Sequence, residues 1–169
     1  VDFDGHAAFS LSWNKAGLSR FGFQSGEAQA LVGGQVYEIS NLSLNLAPRP
    51  KSPDDLMIAA QWDKLALEAA PVAAPYLGTE LGPSRLIGEV RSFFPAYEAA
   101  GREVGGVWPM LLEDGGEVEV AQLLLDWGPL DLGAQANLTL ANGRSNGAFK
   151  VRIENADALK QAMIDTGHW

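Results

Sequence analysis

The stretch LDLGAQANLTL, from Leu130 to Leu140, alternates almost without fault. Leu130, Leu132, Ala134, Ala136, Leu138 and Leu140 are apolar, and the residues between them are polar or tiny. Successive side chains of a strand point to opposite faces, so this segment reads as one long strand with a wet face and a dry face. What covers the dry face constrains the fold, and the function, more than any other feature of the chain.

The same period of two recurs along the sequence. HAAFSLSW sets Ala7, Phe9, Leu11 and Trp13 against Ser10 and Ser12, and Asn14 to Gly17 reads as a hairpin turn. GLSRFGFQ puts Phe21 and Phe23 on one side. In QVYEISNLSLNLA, Tyr37 and Ile39 share one parity while Leu42, Leu44 and Leu46 take the other. That slip near Ser40-Asn41 predicts a bulge. Pro48, Pro50 and Pro53 argue against regular pairing around them. DLMIAAQW, KLALEA and RLIGEVRSFF are further strands. Residues 71–83, rich in Ala, Pro and Gly, form a long connection and a soft division within a single β-rich domain over 1–169. Gly82-Pro83 and Gly128-Pro129 each stand just before an alternating strand, a repeated entry device.

Helices are fewer. Pro95 suits a first helical position, and Tyr97, Gly101, Val104 and Trp108 then share a face. Pro109 kinks or ends that helix. Three strands follow, through EVEVAQLLLDW, the opening stretch and GAFKVRI, with turn signals at Asn142-Gly143 and Asn146-Gly147. Asn155 is placed to cap a last helix whose Leu159, Ala162 and Met163 share a face. The fold class is α+β: a large, curved, mostly antiparallel sheet with about two helices packed on one face.

Areas sharpen the question. About nine strands of roughly seven residues give a sheet face of roughly 1,000 Å², whereas about 30 helical residues shade about 450 Å². The sheet must therefore curl on itself, split into a sandwich, pair with another copy, or leave an apolar groove open. Apolar patches larger than a few hundred Å² mark interaction sites.

Composition removes several function classes. A net charge of −9, from 12 basic and 21 acidic residues, does not suit nucleic acid or a polybasic membrane contact. The chain has no cysteine, so thiol chemistry and disulfides are excluded. No apolar run reaches the roughly 20 residues of a membrane span. Val1 in place of Met, and a strand pattern from the outset, suggest an excised piece of a longer exported protein.

Catalytic patterns are weak. His6 and His168 stand near the ends, and no Gly-x-Ser-x-Gly elbow supplies a nucleophile. Asp54-Asp55 and Glu113-Asp114 read as solvated turns rather than glycosidase carboxylates. DFDG, at Asp2 to Gly5, has two ligands of a calcium loop but lacks the closing Glu. Trp13, Trp62, Trp108 and Trp127 could stack sugars, but their element positions favour core roles.

GGEVEVAQLLLDWGPLDLGAQANLTL, a turn, and then GAFKVRIENADALKQAM resemble the proteobacterial envelope proteins grouped as domain of unknown function 2125. The resemblance rests on Gly115-Gly116 before a strand, Trp127-Gly128-Pro129 after it, and a Gly147-started strand leading to a helix that contains Met163. GLSRFGFQSGEAQALVGG is similar to the family's early strands. The resemblance implies a periplasmic, β-rich protein from a longer, exported chain, and it carries no catalytic residue. More loosely, long amphipathic sheets of this kind look like the AsmA-type envelope proteins, which are linked to lipid handling.

The reading is a non-enzymatic cell-envelope module whose apolar sheet face holds a lipid or acyl chain. Phe9, Leu11, Trp13, Leu42, Leu44, Leu46, Leu130, Leu132 and Leu138 are the ligand-binding candidates, with no cofactor and no metal. The alternative is a structural or protein-interaction domain of the envelope with a closed core. The implied partners are a lipid or an envelope protein, not nucleic acid, with any membrane contact made through a segment outside this chain. An enzyme acting on a cell-wall or sugar substrate stands third.

Overall fold

Alternation over most of the chain produces strands, and short turns make them antiparallel. The computed structural model describes residues 7–14, 17–32, 35–67 and 74–167. Among these, the first half holds β1 (Ala7–Asn14), β2 (Gly17–Val32), β3 (Gln35–Arg49), β4 (Ser52–Trp62) and β5 (Lys64–Leu67). After these come α1 (Ala74–Leu77), β6 (Glu80–Leu81), β7 (Ser84–Arg91), α2 (Phe93–Ala99) and α3 (Val104–Asp114). The second half ends with β8 (Gly116–Trp127), β9 (Leu130–Ala141), β10 (Arg144–Glu154) and α4 (Ala156–Asp165).

All ten strands join one antiparallel sheet in the order β1-β2-β3-β4-β7-β8-β9-β10. The first part of β3 pairs instead with β5, which carries β6. The path is open: β1 and β10 are its two ends and do not meet. Pairing of β4 with β7 carries the sheet across the 71–83 stretch. Only part of that stretch is connection, because α1 and β6 lie in it.

The core is small and sits at one end of the sheet. Ala96 of α2, Val107 and Leu111 of α3, and Leu140 of β9 form one buried cluster, with Val90, Phe93, Tyr97 and Val118 packed against it. The backbone N–H of Ser92 donates to the Asp55 carboxylate at 3.1 Å and fixes where α2 begins. At the other end of the strands, the Trp127 indole N–H donates to the Gly78 carbonyl at 3.0 Å and holds α1 there.

Several local expectations give way to tertiary context. The single helix from Pro95 is two helices, parted by Gly101 and Arg102 at φ 69° and 68°. Pro95 is the third residue of α2, and Pro109 lies inside α3 without ending it. Around the other prolines regular pairing does fail, as expected: the register of β3 with β4 shifts between Pro48 and Arg49, Pro50 lies in the turn and Pro53 has no partner in β3, while Pro48 itself still stands opposite Leu56. The β2 partner of β3 runs out at Leu46, so on that side the ladder asks no N–H of Pro48. The phase slip near Ser40-Asn41 is not a bulge: the register of β2 with β3 is unbroken there, and Asn41 turns left-handed at φ 53°. Asn146-Gly147 is no turn but lies within β10. Asn155 stands at the N-cap position of α4 as expected, but its side chain makes no cap bond: it takes a left-handed conformation at φ 59°, and its side-chain amide donates to Asp131.

Candidate functional site

The pairing registers bring a run of apolar side chains from every main strand onto one face. One row crosses the whole sheet as Phe9, Phe23, Leu44, Ala60, Leu86, Leu123, Ala134 and Val151. The next runs as Leu11, Phe21, Leu46, Ile58, Gly88, Val120, Ala136 and Phe149. Neither row contains a polar side chain. At about 4.8 Å per strand, each is roughly 34 Å long.

These rows exist because the strands hold their parity. One extra residue in β8, at Ala121-Gln122, would flip the face for the rest of that strand, but it is absorbed as a bulge. The Gln135 side-chain amide donates to the Ala121 carbonyl at 3.1 Å and occupies the acceptor the bulge frees.

Among the described residues, helical cover is confined to the strand ends. α2 and α3 pack over Val90, Val118 and Leu140, and α1 sits by Trp127 and Gly128. About 100 strand residues make a face of roughly 1,600 Å², and about 30 helical residues cover roughly 480 Å². The two outer strands carry the consequence: Phe9 is 62% exposed and Phe149 70% exposed, and Leu11, Trp13, Val151 and Ile153 are exposed with them.

The opposite face is polar. Across it run Ser10, Asn45, Gln61 and Arg85 at inter-strand positions, and a charge network centred on Arg91. Arg91 bonds Glu89 at 3.0 Å, pairs with Glu117, and lies 3.7 Å from Glu119. Arg49 bonds Glu89 at 3.2 Å and lies 3.8 Å from Asp55. The Arg91 guanidinium is held above its ordinary pKa by its hydrogen bond to Glu89 and by the Glu117 charge. A hollow of about 480 Å³ lies between Arg20, Asn45, Met57, Ile87 and Glu119 on this side. The pairs are partly exposed and solvent-screened, and add little to stability.

The ligand-binding candidates divide. Phe9, Leu11, Leu44 and Leu46 lie in the two rows, and Leu42 and Leu132 flank them on the same face. Trp13 follows a register shift in β1 and is largely exposed. Leu138 lies in the row next to the helix-covered end, opposite Val118. Leu130 is already buried and offers no surface. Missed were Ile58, Leu86, Val120, Leu123, Phe149 and Val151, which complete the rows. Their alternation was legible, but only the register aligns them with Phe9 and Leu44. Trp62 lies at the margin of this face, and its buried indole N–H has no hydrogen-bond partner among the described residues.

Among the described residues, no group of His, Asp and Glu can hold a metal ion, and no helix is long and apolar enough to cross a membrane. His6, His168, Trp169 and the DFDG motif lie outside the described residues.

A family model described as "Uncharacterized protein conserved in bacteria (DUF2125)" matches residues 7–168. No curated protein and no solved structure matches the chain.

Proposed function

The chain belongs to the bacterial family of domain of unknown function 2125, and from that premise we propose that it is a non-enzymatic cell-envelope module whose apolar sheet face holds a lipid or acyl chain. The observation that carries this reading is the pair of unbroken apolar rows from β1 to β10. A protein–protein interface makes about one hydrogen bond per 100–200 Å², and these rows offer no side chain to make one. An acyl chain needs none: its burial is non-directional and contributes about 25 cal/mol per Å². Half of the roughly 30 Å hydrocarbon core of a bilayer is about 15 Å, the depth of one leaflet's acyl chains, so a row of about 34 Å accommodates one at full length. The unmet donor of Trp62 suits an ester or carboxylate oxygen at the polar end of such a ligand. The envelope location, in the periplasm, belongs to the same proposal and rests on the resemblance to exported proteins.

The test is extraction. Protein purified from a native-type host is extracted with organic solvent, and bound lipid is identified by mass spectrometry. The reading expects a stoichiometric lipid in the wild type and its loss in folded Leu44→Asp and Leu132→Asp variants. A blank from folded wild type, or equal lipid in folded variants, overturns it.

A further inference from the structure

The outer edge of β10 is a second unused surface, distinct from the apolar face. The strand is eleven residues long, has no proline and no register break, and every residue in it is exposed. Natural sheets blunt such edges with prolines, bulges, cover or charges. β1, at the other end, has a register shift at Ser12/Trp13; β10 has neither proline nor bulge, and its charges Arg144, Lys150, Arg152 and Glu154 are of both signs and can be paired.

The turn into β10 fixes which backbone groups are free. Asn142 and Gly143 have φ 53° and 71°, so the two-residue loop is of the type that needs positive φ twice. Ala141 and Arg144 close it and exchange both of their hydrogen bonds. Even-numbered residues of β10 therefore point their backbone groups at β9. Ser145, Gly147, Phe149, Val151 and Ile153 point theirs outward.

We infer that this edge pairs with β10 of a second copy, antiparallel about a two-fold axis at Phe149. A two-fold normal to the sheet keeps the apolar faces on the same side, so paired residues must share parity. Centred on Phe149, Arg144 stands opposite Glu154 at both ends, Gly147 opposite Val151, and Ala148 opposite Lys150. The neighbouring in-phase registers put Arg144 opposite Arg152, or Lys150 opposite Lys150. Like charges directly opposite are destabilising and opposite charges stabilising, so the charge pattern selects the Phe149-centred register. In it the two Lys150 side chains are diagonal, roughly 7–8 Å apart. Glu154, which already bonds Arg152 of its own strand at 2.9 Å, gains a second cation. The ten free backbone groups are satisfied, and roughly 1,000 Å² is buried in total, the lower limit of a specific interface. The apolar rows of the two copies then run into one another.

The test uses the 169-residue chain, in which an introduced cysteine is the only one. Phe149→Cys places two thiols across the axis, with Cα atoms about 5.5 Å apart, within reach of a disulfide. It should oxidise to a covalent dimer, whereas Asn146→Cys, about 20 Å from its copy in this register, should not. Sedimentation of the wild type should show a reversible dimer in the micromolar range. Val151→Pro removes an outward N–H while sparing the β9 ladder, and should leave a folded monomer. Arg144→Glu should weaken the dimer about tenfold, and adding Glu154→Arg should restore it. A wild type monomeric throughout that range overturns the inference. So does a dimer that cross-links equally at residue 146, or one that survives Val151→Pro. None of these readouts depends on bound lipid, so the two proposals fail separately.

Discussion

Leu111 of α3 and Leu140 of β9 lie in one buried cluster and are the two large side chains withdrawn furthest from water, at 2% and 0% exposure. This contact region joins the helices to the sheet, and little else in the molecule is buried so deeply. Truncating either should be severe. Leu140→Ala is expected to lower unfolding free energy by about 2–5 kcal/mol, read by urea denaturation, while Leu124→Ala on the polar face, 44% exposed, should change it far less. Equal losses would mean that the helices do not dock as described.

Gly128 sits at φ 58°, and a Cβ there would stand 2.4 Å from the Leu77 carbonyl oxygen. Gly128→Ala should therefore destabilise the chain by about 1–3 kcal/mol. Trp127→Phe, which removes the neighbouring bond to Gly78, should cost about 1 kcal/mol. Both act on the seat of α1, so the double variant should fall short of additivity. Strict additivity would separate the two effects.

The left-handed backbone of Asn155 predicts an unusual order of substitutions. Serine is a good helix cap but a poor left-handed residue, and glycine is the reverse. Asn155→Gly should therefore be better tolerated than Asn155→Ser, by about 1 kcal/mol, in thermal unfolding. The opposite order would restore the capping role read from the sequence.

Lys64 of β5 bonds Glu80 of β6 at 2.7 Å, and this bond raises the lysine above its ordinary pKa of 10.5. A raised folded-state pKa stabilises fully below the unfolded value and is lost as pH rises through the folded one. A Lys64/Glu80 double-mutant cycle should show a small coupling at neutral pH, unchanged across the physiological range, that vanishes in strong alkali. Coupling that persists there would mean that side-chain contact, not the lysine's charge, joins Lys64 to Glu80.

The lipid proposal makes an optical prediction at the β1 end. Trp13 is 69% exposed, and a brominated fatty acid lying along the rows should quench it. Trp13→Phe should remove part of the quenching and leave the rest to Trp62. Identical fractional quenching in the variant would place the acyl chain away from β1.

Much of the architecture was legible in the sequence. Alternation in HAAFSLSW and LDLGAQANLTL reports the strand itself, because side-chain direction in a strand follows from local backbone geometry. Asn142-Gly143 was legible as a turn for the same reason, since its positive φ values are a local demand. Asn146-Gly147 carries the same dipeptide yet lies in mid-strand, where the β9 ladder outweighs the local preference. Pro48 marked a real break, since the β3–β4 register shifts just after it, whereas Pro109 lies inside α3 without ending it: a proline's effect depends on whether a neighbour asks for its N–H, and the neighbour is set by the fold.

By itself the sequence determined that each strand has a dry face and a wet one, and that the helices are too small to cover the dry faces. Period and residue type are local properties, and total areas follow from counting. Tertiary structure alone decided that the dry faces of eight strands align on one side, that the helices gather at the strand ends, and that β1 and β10 remain open edges. Those outcomes depend on register across distant segments and on where helices dock, and a single substitution in either reaches every row it crosses.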